Sequence, residues 1–323
     1  MSPLLEIDNL SVTFSTERGV VQAVDGVSLS VDRGETLAVV GESGSGKSVT
    51  ALSILGLLGD NGSIAGGSIR FEGEDLTQVS PARLRDLRGN RIAMIFQEPM
   101  SSLNPVLTLG NQVAEPIVLH QDRSWKEALD MAGELLKRVA IPDAEHRLDD
   151  YPHQFSGGMR QRVMIAMALA CEPCIIIADE PTTALDVTVQ AQILALLKNL
   201  TTELNSALIL ITHDLGVVAR YADRVAVMYG GRVVETASAR VLYKTPSHPY
   251  TQGLMASIPT LDGEQGARLK TIVGQPPDLS QLPRGCAFHP RCPHAREACE
   301  QEKPPLAQLG EGHLRACIGI EDD

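Results

Sequence analysis

The chain has 323 residues, with 28 Lys and Arg against 40 Asp and Glu for a net charge of −12; 43% of it is hydrophobic and only 3% aromatic. That length suits two domains, and the apolar share is enough to fold without staples. The acidic balance argues against a nucleic-acid-binding face, and no apolar run reaches the roughly 18 residues that span a bilayer.

Glu6 and Asp8 stand where an export signal needs apolar residues, which points to the cytoplasm. Alternating apolar residues (Leu5, Ile7, Leu10, Val12, Phe14, then Val27, Leu29, Val31) predict strands at the N-terminus. Thr36–Val40 predicts a buried strand, followed by a Gly-rich turn and a helix over Ser48–Leu58. Residues 99–163 break the rhythm and read as an insertion, loop-rich at first and then helical over Ser124–Val139. Cys174–Ile177 and Leu208–Thr212 predict buried parallel strands, with a helix over Val187–Leu200 between them. From about Arg240 the chain turns to Pro, Gly and scattered Cys. The expected domains are therefore 1–240, with its insertion, and a C-terminal extension over 241–323.

Gly41-Glu42-Ser43-Gly44-Ser45-Gly46-Lys47-Ser48 matches the phosphate-loop pattern, with a strand before it and a helix after it. Glycines let backbone N–H groups face phosphate oxygens, Lys47 adds a mobile positive charge, and Ser48 offers a hydroxyl to Mg²⁺. Asp179-Glu180 closes the apolar run Ile175–Ala178 and so stands at a strand end facing a ligand crevice. Asp179 suits the Mg²⁺ shell, and Glu180 suits the orienting of an attacking water. Ser156-Gly157-Gly158 precedes an apolar helix and forms a potential anion site. Cys171 and Cys174 have metal-site spacing, but they end a helix and open a strand, and read as small hydrophobes.

Taken in order, these motifs resemble those of the ABC ATPases. The resemblance implies an α/β P-loop NTPase fold: a RecA-like parallel-sheet core, an N-terminal antiparallel β subdomain and a helical insertion. By the same resemblance Gln97 senses Mg²⁺ and the membrane partner, His213 contacts the γ-phosphate, Asp186 lies in a loop crossing between paired subunits, and Phe14 stacks on adenine. Met159 follows Ser-Gly-Gly where most of the family has Gln, as in its peptide-importer branch. Gln97-Glu-Pro-Met-Ser-Ser-Leu-Asn-Pro105, Tyr151-Pro-His-Gln-Phe-Ser-Gly-Gly158 and the tail from His248-Pro-Tyr250 to Cys317 are similar to the same oligopeptide and dipeptide branch.

That branch implies an ATPase subunit paired with a paralogue as a heterodimer. It would dock on two membrane permeases at the cytoplasmic side of the inner membrane and serve an extracytoplasmic peptide-binding protein. Nickel or another small solute fits the same motifs, and a non-transport ABC ATPase acting on ribosomes or DNA is the alternative of another class. Residues Gln97–Glu115, with Pro99, Pro105, Leu107 and Leu109, are expected to form the apolar groove for a permease helix.

Cys286, Cys292, Cys299 and Cys317 are spaced x5, x6 and x17 in a Pro-rich segment with little core of its own. Four thiolates suit Zn²⁺ or an iron–sulfur cluster, and the lack of a close C-x₂₋₄-C pair weighs against zinc. Resemblance to the importer tail implies a [4Fe–4S] cluster. Zinc, with His289, His294 or His313 replacing a thiolate, and unligated cysteines are the other readings.

Overall fold

In the computed structural model, which describes residues 2–98, 102–183, 185–258 and 271–320, the alternating N-terminal residues form two long strands. These are β1 (Leu5–Thr16) and β2 (Gly19–Val31), paired antiparallel. The apolar run forms β3 (Thr36–Val40), buried at every residue, and leads into helix α1 (Lys47–Ile54). β4 (Gly62–Phe71) and β5 (Glu74–Asp75) complete a sheet ordered β2-β1-β4-β5. Leu5 pairs with Val31 on one side and Phe71 on the other, so Leu5, Ile7, Leu10 and Val12 share a buried face with Ile69 and Phe71.

Helix α1 stops four residues short of the expected Leu58. Gly56 takes a left-handed φ of 61°, its N–H donates to Ser53 O, and Leu57 N–H donates to Leu52 O. That crossed pair of bonds is a glycine-based C-terminal cap, which ends the helix although apolar residues continue.

The chain divides into two units: Met1–Val31, Leu37–Thr77 and Thr212–Asp323 in the first, Asp32–Thr36 and Gln78–Ile211 in the second. The second holds α2 (Pro81–Leu87), β6 (Ile92–Ile95), α3 (Leu109–His120), α4 (Trp125–Arg138), α5 (Gly157–Leu169), β7 (Ile175–Asp179), α6 (Val187–Glu203) and β8 (Ala207–Thr212). β6, β7 and β8 run parallel, with Ile95 opposite Ala178 and Ala178 opposite Leu210. Every residue of β7 and β8 is buried, as a parallel sheet covered on both faces requires.

α3 occupies the stretch the sequence reading takes as loop. Pro116 inside it removes a helical N–H, but Leu109, Val113, Ala114 and Ile117 are all fully buried, and that packing outweighs the propensity. α4 agrees with expectation: Ser124 and Glu127 form a reciprocal cap at its start.

The first unit resumes with α7 (Leu215–Tyr221), β9 (Arg224–Tyr229), β10 (Arg232–Ser238), α8 (Ala239–Lys244), α9 (Pro249–Ala256), α10 (Glu297–Gln301), β11 (Ala307–Gly310) and β12 (His313–Arg315). Within this unit the strand order is β11-β12-β10-β9-β3, with β9 parallel to β3 and the others antiparallel. The tail is thus less irregular than its composition suggests, because β12 pairs with β10 through Glu235 and Thr236. Leu242, Tyr250 and Phe288 join Val40, Val227 and Tyr229 in one apolar cluster. Glu235, fully buried, accepts N–H bonds from Ser247 and His248 and meets His313 Nε2, each at 2.8 Å. Among the described residues, no helix is long and apolar enough to cross a membrane.

Candidate functional site

The phosphate-loop residues Gly41–Ser48 all lie in the first unit. Gly46 caps α1 with φ 98°, and a Cβ there would stand 2.7 Å from the Ala23 carbonyl oxygen, so the turn requires glycine. The first turn of α1 contains no acidic residue and its start has no side-chain cap. No carboxylate in that turn offsets the positive potential of the helix start, which favours an anion there. Lys47 is 5% exposed, and its ammonium donates to the Gly41 and Glu42 carbonyls at 2.8 and 2.9 Å and to Ser45 Oγ at 3.4 Å. The loop's own oxygens thus hold the cation inside the curl. In the same unit, Phe14 is half-buried on β1 beside Gly62, and His213 is exposed just past β8.

The carboxylates lie in the second unit. Asp179 is buried at the end of β7, opposite Ile211. Glu180 follows with a left-handed φ of 46°, uncommon for a residue with a side chain and a form of strain found at functional sites. Its N–H donates to Ile211 O at 3.0 Å, which carries the sheet ladder one residue further. Its Oε2 accepts from Thr183 Oγ1 at 2.8 Å and from Gln97 Nε2 at 3.2 Å. The fold thus brings Gln97 and Glu180 together across 83 residues of sequence. Thr183 is a contact that the sequence reading missed.

Ser156 caps α5, accepting from Met159 N at 3.3 Å, and the first turn again lacks an acid. Met159 enters through its backbone, so Met in place of Gln leaves this cap intact. Gly158 sits against Val189 of α6, where a Cβ would come within 2.8 Å of Val189 Cγ1. Asp186 caps α6 by accepting from Val189 N at 3.0 Å. Pro99, Met100 and Ser101 of the Gln97 motif, and Ala184 before Leu185-Asp186, lie outside the described residues. Within the expected docking segment, Val106 and Leu107 are 75% and 40% exposed, whereas Leu109 is fully buried. Leu109 belongs to the core of the unit, not to a surface groove.

In the tail, burial raises the Cys286 and Cys292 thiols above the usual range, and the neighbouring cysteines push in the same direction. Cys286 N–H donates to Cys299 O at 2.7 Å, and a Cβ on Gly319 would lie 3.3 Å from Cys299 Sγ and 3.9 Å from Cys317 Sγ. The four cysteines converge. Even so, among the described residues no group of three or more His, Cys, Asp or Glu side chains is disposed to hold a metal ion. Side-chain placement therefore supports neither the expected cluster nor zinc. Cys171 and Cys174 are free, and burial pushes the Cys171 thiol up to about 11, as suits an inert packed residue.

The ABC transporter family matches residues 24–183, and the oligopeptide/dipeptide transporter C-terminal region matches residues 234–299. The oligopeptide transport ATP-binding protein OppD of Salmonella typhimurium is 53% identical over 315 residues, spanning 98% of this chain and 93% of its own. This chain belongs to the ABC transporter family. AppD of Bacillus subtilis, also an oligopeptide transport ATP-binding protein, is 51% identical over 324 residues, 100% of this chain and 98% of its own. Among solved ABC structures, the dimeric ATP-binding cassette MJ0796, in a post-hydrolysis state bound to ADP and Pi, has a TM-score of 0.65 at 31% identity. It covers 73% of this chain and 99% of that one. The cassette CbiO1 of Clostridium perfringens gives 0.64 at 28%, covering 76% and 92%. The α/β P-loop NTPase fold expected from the motifs is the fold of these cassettes, and the chain is an ABC-type ATPase.

Proposed function

We propose that this chain is the ATP-hydrolysing subunit of an importer for oligopeptides or dipeptides, working at the cytoplasmic face of two membrane permeases. One observation carries the reading: an ABC cassette and an oligopeptide/dipeptide C-terminal region share a single chain, matched nearly end to end by OppD. In this reading residues 1–240 are the ATPase domain and 241–323 the importer extension.

The chemistry follows from the residues. Gly41–Gly46 and the start of α1 bind the ATP phosphates through N–H groups, and Lys47 supplies charge. Ser48, Asp179 and Gln97 provide oxygen donors, which suit Mg²⁺, a hard cation. The ion neutralises charge on the phosphates when it is bound. Glu180, steadied by Gln97 and Thr183, orients the water, and His213 acts on the γ-phosphate. Phe14 offers its ring to the adenine. Ser156, Gly157 and Gly158, with Asp186, serve a nucleotide held by a second ATPase subunit, a paralogue, so that a pair encloses two ATP molecules. An extracytoplasmic binding protein delivers the peptide. Val106 and Leu107, exposed on the segment after Gln97, contact a permease loop.

For the tail we retain the iron–sulfur cluster as a proposal. Four thiols gathered in one segment are suitable donor chemistry, and side-chain rotation would have to bring them onto the cluster. The deciding test of the ATPase reading is Glu180→Gln in the assembled transporter: ATP stays bound while turnover falls by about 10²-fold or more, the usual share of a general base. Hydrolysis at the wild-type rate would remove Glu180 from this role. Cysteine cross-links from Val106 to the permeases test the docking face.

A further inference from the structure

The tail reaches the phosphate loop through one side chain. Arg291, next to Cys292, donates from Nη1 to Glu42 Oε2 at 2.7 Å and from Nη2 to Glu42 Oε1 at 3.0 Å, a two-point fork. Nη1 also donates to Tyr229 Oη at 3.3 Å, and Nε donates to Val273 O at 3.0 Å. The guanidinium lies over the Tyr229 ring, 5.8 Å from its centroid, and its side chain is only 7% exposed. Tyr250, fully buried, accepts the Glu42 N–H on its hydroxyl at 2.8 Å. The Glu42 carbonyl in turn accepts from Lys47 Nζ. Two tail residues therefore grip both ends of the residue that helps hold the phosphate-binding lysine.

Glu42 poses an electrostatic problem, because it is a carboxylate in the second position of a loop suited to polyphosphate. Unpaired, it would repel the ligand; forked by a guanidinium, it is neutralised and fixed in place. We infer that Arg291 is a positioning residue for nucleotide binding. By neutralising Glu42, and with Tyr250 fixing its backbone, it lets the C-terminal tail set the affinity of the phosphate loop for ATP. This rests on the ATP-binding reading above.

The test uses the full chain and Mg·ATP titration by a fluorescent ATP analogue with ATP competition. Arg291→Met weakens binding by about tenfold or more, as expected for losing a charge-assisted pair, while kcat in the assembled transporter changes little. Arg291→Lys recovers part of the loss, since one ammonium cannot make the fork. The double variant Arg291→Met/Glu42→Gln regains most of the affinity, because the repelling charge is gone. Wild-type affinity in Arg291→Met overturns the inference. So does a double variant as weak as the single, which would mean a damaged tail instead of an unbalanced charge. A wild-type chain that binds no ATP refutes the ATPase reading along with it, so the two failures are distinguishable.

Discussion

Gly46→Ala and Gly44→Ala make a matched pair of perturbations in the phosphate loop. Both glycines have positive φ, 98° and 77°, so alanine costs each about 1–2 kcal/mol of backbone strain. They differ in space. A Cβ on Gly44 meets nothing within 4 Å, whereas one on Gly46 lies 2.7 Å from the Ala23 carbonyl oxygen and 3.3 Å from Gly231 Cα. Both neighbours are backbone and cannot rotate away, so Gly46→Ala adds an overpacking cost of about 1–3 kcal/mol. The expected gap between the variants is about 2 kcal/mol, or about 4–8 °C in melting temperature for a unit of 150–250 residues. Thermal unfolding of the nucleotide-free chains, followed by circular dichroism at one scan rate, measures it. Equal melting temperatures for the two variants would refute the claim that the Ala23 carbonyl limits this turn.

Lys47→Ala removes a cation held by three loop oxygens, and ATP affinity should fall by about tenfold or more; unchanged affinity would undo the phosphate-loop assignment. Burial, aided by the Arg315 charge, pushes the His248 imidazole down to about 3. The unfolded chain therefore takes up this proton first, and stability present above pH 6.5 is lost as pH falls toward 3, by up to about 1.4 kcal/mol per pH unit. His248→Asn keeps an acceptor for the Tyr250 N–H and should flatten the fall in melting temperature between pH 6.5 and 4.5; parallel curves would exclude His248 as a cause. Anaerobic purification should give a brown protein with about four iron and four sulfide per chain. A colourless product with zinc or no metal removes the cluster.

The sequence exposes most of what is local. Thr36–Val40 reads as a buried strand because all five residues are apolar or small, and Ser124 with Glu127 marks the start of α4 by side chains alone. Elsewhere burial overrides local signals. Pro116 hides α3, whose helical state rests on four fully buried side chains, and the glycines of β4 hide a ten-residue strand whose register comes from β1. At the site, Lys47, Asp179 and Glu180 are legible because their chemistry is tied to adjacent glycines or a strand end. Arg291 is not: its partner Glu42 lies 249 residues away, and nothing around Arg291 differs from an ordinary surface arginine. Glu180's left-handed backbone is likewise invisible in the composition of its neighbours.

β10 has β9 along one side and the tail strand β12 along the other, with Phe288 and Tyr250 sealing the apolar cluster beneath. The tail is thus a wall of the first unit, which also carries the phosphate loop. Trimming the chain near residue 240 would open a row of ladder groups on β10 and bare the Tyr229 ring. An edge of that kind invites pairing with other chains. The extension is part of how this unit closes its sheet and its core: Thr236 and Leu314, far apart in the chain, share one ladder.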